Sequence, residues 1–521
     1  MSKAQQEVVA FLKSTASYGA GVGRVEVHAT HVSLVFLAGE HAYKLKRAVK
    51  FPYLDFSTVE LRRRACEVEL TLNRRTAPTL YKEVRGLFRS AESAMSFAPN
   101  GVAVDWVVVM RRFEQALLFD SLAQDDRLEP RMMDELADHI ARFHAAAERR
   151  FDRGGAQEMV ELAEMQHRCL AAAGRHAGFA PQLVDSILAK WRERVAAVAR
   201  LLDERGAAGR VRHCHGDLHL RNICLFDGKP TLFDCLEFSE ALASIDVLYD
   251  LAFLLMDLEY RGLGHFANRV SNRYLDRAEE DDGLAAMPLF LSLRGGIRAH
   301  VVASALEEGV HDLSARERMA AEARRYLDLA HRFLQPEPSR LVAIGGVSGT
   351  GKSTLAAALA PELGLRPGAR VLRSDVTRKL MLGVDPETRL PPTAYTREIS
   401  GRVYDALCRK AATVLAGGYS AIIDAVALQP EERQSFAEVA RAAGVPFSGL
   451  WLEGRAEAMA SRIRKRRGDA SDATPEVLAL QLRYDPGAID WTRIDADQGP
   501  QACLAAARNA LTEQGQMASR S

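Results

Sequence analysis

The chain lacks a large net charge of either sign: its 521 residues balance to +1 at pH 7. Proteins that hold nucleic acid or membrane surfaces by bulk electrostatics need a broad basic field, and this chain has none. It also lacks any apolar run near the ~20 residues needed to span a bilayer. The stretch Met1-Ser2-Lys3-Ala4-Gln5-Gln6-Glu7 has no signal-peptide apolar core. Cysteine is scarce and scattered. Its seven residues form no C-x-x-C pair, which excludes a zinc ribbon or a disulfide framework and reads as reduced thiols in a cytoplasm. A hydrophobic content of 48% and a charged content of 26% are those of a globular protein, and the length calls for two or three domains.

Two stretches carry chemistry. The first is His215-Gly216-Asp217-Leu218-His219-Leu220-Arg221-Asn222, followed by Leu232-Phe233-Asp234-Cys235. Phosphoryl transfer needs three such oxygen-bearing side chains, one to take the acceptor's hydroxyl proton and two to hold Mg²⁺ against ATP phosphates. The second is Gly346-Val347-Ser348-Gly349-Thr350-Gly351-Lys352-Ser353, with Thr354 opening a helical run. The apolar strand Leu341–Ile344 before it and the helix after it supply the context a phosphate-binding loop requires. There, backbone N–H groups and the helix N-terminus concentrate positive potential on phosphate, Lys352 reaches the β/γ-phosphates and Ser353 completes a Mg²⁺ shell.

The Pro-containing break Gln335-Pro336-Glu337-Pro338-Ser339-Arg340 separates the two stretches. The expected organisation is a first domain over 1–335, a linker at 336–340, a second domain over 341–512 and a polar tail at 513–521. Within the first, Arg24–His28, Val32–Leu37, Ala42–Lys46 and Asp105–Met110 read as strands, with a tight turn at Gly39-Glu40 and one helix from Thr58 to Arg75 capped by Ser57 or Thr58. This gives a small β lobe over about 20–112 and a mainly helical lobe over about 113–335.

Motif and lobe order together resemble the aminoglycoside phosphotransferase family of the protein-kinase-like fold over roughly residues 20–335. The resemblance implies that Asp217 orients and deprotonates the acceptor hydroxyl and that Asn222 and Asp234 ligate Mg²⁺, a hard ion that prefers oxygen. It implies a strand lysine on the ATP phosphates, held by a helix glutamate. Lys44 and Lys46 share one face of their strand. Lys46 is favoured over Lys44, and Glu69 over Glu67. Asp246 and Asp250 read as loop anchors and His215 as a structural hydrogen-bonding residue. Thr30 or Ser33 are the hydroxyls available to phosphate, since no glycine-rich loop lies between the first two strands. The acidic run Glu279-Glu280-Asp281-Asp282 reads as a solvated loop.

The second half resembles small P-loop kinases similar to gluconate kinase, polynucleotide kinase and the zeta-toxin group. Val371-Leu372-Arg373-Ser374-Asp375 ends on an Asp placed to hold an acceptor hydroxyl, and Ala421-Ile422-Ile423-Asp424 ends on one suited to Mg²⁺ and its water. Arg462 and Arg466 lie four apart on a helix, as in a lid that stabilises charge on the transferring group. Arg378, Arg433 and Gln481 are acceptor contacts to test.

The fold expected is an α/β multidomain chain: an N-terminal two-lobed protein-kinase-like α+β fold and a C-terminal P-loop α/β domain with a parallel sheet. The function expected is a bifunctional, ATP- and Mg²⁺-dependent kinase acting on hydroxyls of small molecules. The alternatives are that one half is a nucleotide sensor regulating the other, or that the P-loop half phosphorylates nucleic-acid ends, for which the basic run Arg462–Arg467 is the sole feature in favour.

Overall fold

Alternating apolar residues in four of the first strands dictate a half-buried antiparallel sheet, and a computed structural model of the chain shows one. The structure describes residues 3–30, 32–51, 54–307, 312–465 and 470–518. Six strands pair in the order Val25–Ala29, Ser33–Ala38, His41–Lys46, Val102–Arg111, Tyr81–Arg89, Met95–Ser96. The strand Tyr81–Arg89 had no sequence signal, because its run Tyr-Lys-Glu-Val-Arg-Gly-Leu-Phe-Arg mixes charges into both faces. The expected helix is Val59–Asn73, with the Thr58 hydroxyl accepting from the Leu61 N–H.

The chain forms two compact units: Met1–Met159 with Leu202–Asp257, and Val160–Leu201 with Leu258–Ser521. This division differs from the one expected at residue 335. Residues 160–201 and 258–335 group with the P-loop half, and the physical reason is visible at the strand Arg370–Arg373. Arg370, only 1% exposed at its side chain, is held by Asp276 at 2.7 Å and Asp281 at 2.6 Å. The Asn272 amide oxygen accepts from the Val371 N–H, and Asn268 donates to the Ala369 carbonyl. The acidic run is therefore not a solvated loop: Glu280 and Asp281 are buried.

In the first unit the motif residues flank a hairpin, Ile223–Phe226 with Lys229–Leu232. Its two-residue turn, Asp227-Gly228, has positive φ at both positions, the type I′ geometry that matches strand twist. In the second unit a five-stranded parallel sheet runs in the order Arg370–Arg373, Ala421–Asp424, Leu341–Gly345, Phe447–Glu453, Thr492–Asp495. Its central strand is buried throughout, as a parallel sheet covered on both faces demands. The last helix is Pro500–Ala518, so residues 513–518 of the expected tail are helical and 519–521 lie outside the described residues. Among the described residues no helix is long and apolar enough to cross a membrane.

Candidate functional site

In the first unit the hairpin register sets the site. The Phe233 N–H donates to the Asn222 carbonyl, so Asp234 emerges beside Asn222. Asp234 has φ +62°, a left-handed conformation that Asp tolerates better than most residues. Asn222 donates its Nδ2 to the Asp217 carboxylate at 2.8 Å and to the Asp217 carbonyl at 2.9 Å, so its Oδ1 is the atom that could hold a metal. The side chains of Asp217 and Asp234 are 39% and 37% exposed, open enough to meet a substrate.

The loop that carries Asp217 is fixed from below by the helix Val247–Tyr260. Asp250 accepts from the His215 N–H at 3.1 Å, the Gly216 N–H at 2.9 Å and the His144 ring at 3.0 Å. Seven residues on, two helical turns away on the same face, Asp257 accepts from the Leu220 N–H at 3.0 Å. Asp246 makes a paired contact with Arg205 at 2.7 and 2.8 Å and caps the Leu248 N–H. The anchoring reading of Asp246 and Asp250 holds; Asp257 had no motif to reveal it. His215 bridges its Nε2 to the Phe233 carbonyl at 3.0 Å.

The lysines sort differently from expectation. Lys44 Nζ lies 2.8 Å from Glu69 Oε1 and 2.5 Å from Asp234 Oδ1. Lys46 Nζ lies 2.5 Å from Glu69 Oε2 and pairs on its other side with Glu237. Lys46 is fully buried, while Lys44 is the lysine in contact with the metal-side aspartate. The geometry thus sets Lys44, rather than the favoured Lys46, beside Asp234, and Glu69, rather than the exposed Glu67, is the carboxylate both lysines meet. A signal was present: Ala42 stands two residues before Lys44, the spacing of the kinase lysine strand. The result is an alternating chain, Asp234, Lys44, Glu69, Lys46, Glu237. Burial alone would raise the Glu69 pKa, but Lys44 and Lys46 overcome it and hold the carboxyl at about 2. At Glu237 burial wins over Lys46 and the pKa is raised.

Thr30 Oγ1 is taken up by its own turn, accepting from the Ser33 N–H, and the Ser33 hydroxyl is buried away from solvent. Val35, Leu37, Ala42, Met110, Phe113 and Cys224 belong to one apolar cluster joining the sheet to the hairpin.

In the second unit the phosphate loop has the expected form. A Cβ on Gly346 would meet the Leu452 carbonyl oxygen at 2.4 Å, and one on Gly349 the Met459 carbonyl oxygen at 2.7 Å, so both need glycine. Ser353 Oγ donates to Asp424 Oδ2 at 2.5 Å, and Arg373 stands 3.4 Å from the same carboxylate. Lys352 Nζ donates to the Val347 carbonyl at 3.1 Å, folded back on its own loop, and Thr350 Oγ1 donates to that carbonyl too. A cavity of about 890 Å³ opens over this loop and is shared by Asp375, Arg378, Asp424 and Arg462.

Arg462 donates to the Ala496 carbonyl at 2.8 Å and to the Gly349 carbonyl at 3.4 Å, so it is seated on the phosphate loop. Arg466 lies outside the described residues. Gln481 accepts the Ser348 N–H at 2.8 Å, which places it on the loop too. Arg433 is removed from the acceptor set: it lies outside the cavity lining and its guanidinium goes to the carbonyls of Ala427, Leu428, Pro486 and Ala488. Sequence reasoning missed Asp472, which ties Lys379, Tyr395 and the Leu390 N–H together.

Burial pushes the Asp375 pKa above its ordinary value; Asp424 adds to the rise while Arg373 and Lys352 oppose it. If Asp375 takes the acceptor's proton, it must be ionised to do so, and transfer at the second site would be lost as the pH drops through a point above the ~4 of a free aspartate, read from a pH–rate profile. The same shift costs stability above that pKa, and the cost is relieved as pH drops through it.

Comparison with known proteins agrees with both halves. A family model described as "Phosphotransferase enzyme family" matches residues 97–289, and one described as "AAA domain" matches 341–486. Uncharacterized proteins of Mycobacterium tuberculosis (strain ATCC 25618 / H37Rv) and Mycobacterium bovis (strain ATCC BAA-935 / AF2122/97) are each 31% identical over 482 residues, covering 89% of this chain and 91% of theirs. Among solved structures, an amicoumacin kinase is 15% identical and covers 63% of this chain and 93% of its own, with a TM-score of 0.39. A sugar kinase from Janibacter sp. HTCC2649 is 27% identical over 34% of this chain and 95% of its own, with a TM-score of 0.27. The chain belongs to the same family as these mycobacterial proteins, and it is a phosphotransferase enzyme that joins a kinase-like domain to a P-loop kinase domain.

Proposed function

We propose that each half binds Mg·ATP and passes the γ-phosphate to a hydroxyl of a small-molecule acceptor. The observation that supports this best is a repeated arrangement. In each unit a lysine able to reach phosphate, a metal-side carboxylate and a second aspartate for the acceptor belong to one site: Lys44, Asp234 and Asp217 in the first, Lys352, Asp424 and Asp375 in the second.

The donor sets fit Mg²⁺. Asn222 Oδ1 with Asp234, and Ser353 Oγ with Asp424, are hard oxygen donors at sites next to phosphate-binding groups. Bound there, the ion would neutralise charge on the β- and γ-phosphates. The chain's own residues do the rest. Lys44 is released from Asp234 to the phosphates while Glu69 keeps its orientation. Asp217, held by Asn222, takes the acceptor's proton. In the second site Lys352 exchanges the Val347 carbonyl for phosphate.

The test is mass spectrometry of a metabolite extract incubated with Mg·ATP and the full chain, as wild type, Asp217→Ala or Lys352→Ala. One phosphorylated product should vanish with each variant. Removing the base at Asp217 is expected to cost ~10²–10⁴-fold in rate. A half that binds nucleotide but yields no product under any acceptor would instead be a sensor.

A further inference from the structure

The loop that carries Asp217 closes on one side chain to which the proposed mechanism gives no task. The four successive N–H groups of residues 219–222 all find acceptors close by. The His219 N–H goes to the Asp217 carbonyl at 3.1 Å and the Leu220 N–H to Asp257 at 3.0 Å. The Arg221 N–H goes to His219 Nδ1 at 3.3 Å and the Asn222 N–H to the His219 carbonyl at 2.9 Å. The His219 ring therefore caps the short turn Leu220–Asn222.

Capping alone does not call for histidine. Asn, Asp, Ser or Thr caps a turn well, and with a smaller side chain. What the ring adds is a second nitrogen. Nδ1 can accept an N–H only when it carries no proton, so the ring proton sits on Nε2. Nε2 lies 3.4 Å from Asp217 Oδ2. The ring is buried and stands edge-on to Phe253, with centroids 5.2 Å apart and planes at 75°, so it has little room to turn away.

Asn222 donates to the same carboxylate oxygen at 2.8 Å. A carboxylate held by one donor can still pivot about that contact, and Asn222 also offers its Oδ1 to the metal. A second donor from another residue fixes the carboxylate plane. Contacts between catalytic groups are often long before substrate binds and tighten in the reacting complex.

We infer that His219 is a positioning residue for the first site: its Nε2–H keeps Asp217 aimed at the acceptor hydroxyl while Asn222 serves the metal. This rests on the proposed role of Asp217 as base. In the transfer the acceptor oxygen bonds to the γ-phosphorus, the bond from that phosphorus to the ADP oxygen breaks, and the hydroxyl proton passes to Asp217. His219 keeps its own proton throughout.

Two substitutions separate the tasks of the ring. Asn places its amide where Nδ1 lies and keeps the cap; Gln reaches to where Nε2 lies and keeps the donor. The experiment follows by mass spectrometry the extract product that depends on Asp217, at varied Mg·ATP, with the full chain as wild type, His219→Asn or His219→Gln. His219→Asn is expected to lower kcat on the order of 10²-fold, the cost of a misplaced catalytic group. Its KM for Mg·ATP, its Mg·AMP-PNP affinity and its urea midpoint should match wild type. His219→Gln should recover most of the lost rate. If His219→Gln is no more active than His219→Asn, the ring is a cap only and the inference is overturned. A double variant covers the case in which His219→Asn folds poorly. Added to Asp217→Ala, His219→Asn should cost no further rate, because residues that act as a unit are not additive. A full second loss would show that His219 acts independently of Asp217 and would overturn the inference too. If instead every extract product survives Asp217→Ala, the base reading of Asp217 fails first and takes the inference with it.

Discussion

Lys44→Met is expected to silence the first site and leave the P-loop site at full rate. The ammonium of Lys44 has Glu69 on one side and Asp234 on the other, so it lies where phosphate and metal charge must meet. Removing a fixed donor aimed at transition-state charge costs on the order of 10²–10³-fold in turnover, read at the first site in a Lys352→Ala background and at the P-loop site with Lys352 intact, each with the acceptor returned by the extract screen. Lys46→Met should behave otherwise. Lys46 is sealed from solvent between Glu69 and Glu237 and cannot touch nucleotide. Its loss leaves the buried Glu237 unpaired and Glu69 with Lys44 alone, which costs ~3–5 kcal/mol of stability and shows as a lower urea midpoint. Loss of turnover at unchanged stability in Lys46→Met, with Lys44→Met active, would reverse the assignment.

That pair of lysines shows where the sequence stops being legible. The period of two puts Lys44 and Lys46 on one face, and nothing local separates them. What separates them is where the hairpin loop 234–237 docks along the strand, a tertiary fact. Asp217, Asn222, Asp234 and the phosphate loop were readable because their chemistry is written at fixed spacing within a few residues. Asp257 and Glu237 were not, since each acts on a backbone or side chain far away in sequence. The acidic run was misread for the same reason. An acidic cluster looks solvated until its counter-charge is known, and Arg370 lies some ninety residues further on. The extent of the helical half that groups with the P-loop sheet was hidden with it.

Arg370→Met is expected to destabilise the second unit by ~3–5 kcal/mol, the usual cost of removing one partner from a buried ion cluster. The native guanidinium bridges Asp276 and Asp281 and donates also to the Asn272 and Val371 carbonyls. Without it, two carboxylates remain with little water to screen them, and the cation left nearby is Lys410, 3.7 Å from Asp281. The strand that suffers ends at Arg373, one residue before the helix bearing Asp375 and Arg378. Amide exchange should therefore quicken first in Arg370–Arg373 and in its neighbour Ala421–Asp424, before the rest of the parallel sheet. A triple variant, Arg370→Met/Asp276→Asn/Asp281→Asn, removes the stranded charges together and should recover most of the loss, because the penalty lies in the unpaired carboxylates more than in the missing attraction. A loss below ~1 kcal/mol in the single variant, the range of exposed ion pairs, would mean that the cluster is solvated after all, and that the helices of 258–332 are joined to the sheet by the Asn268 and Asn272 hydrogen bonds and apolar contact.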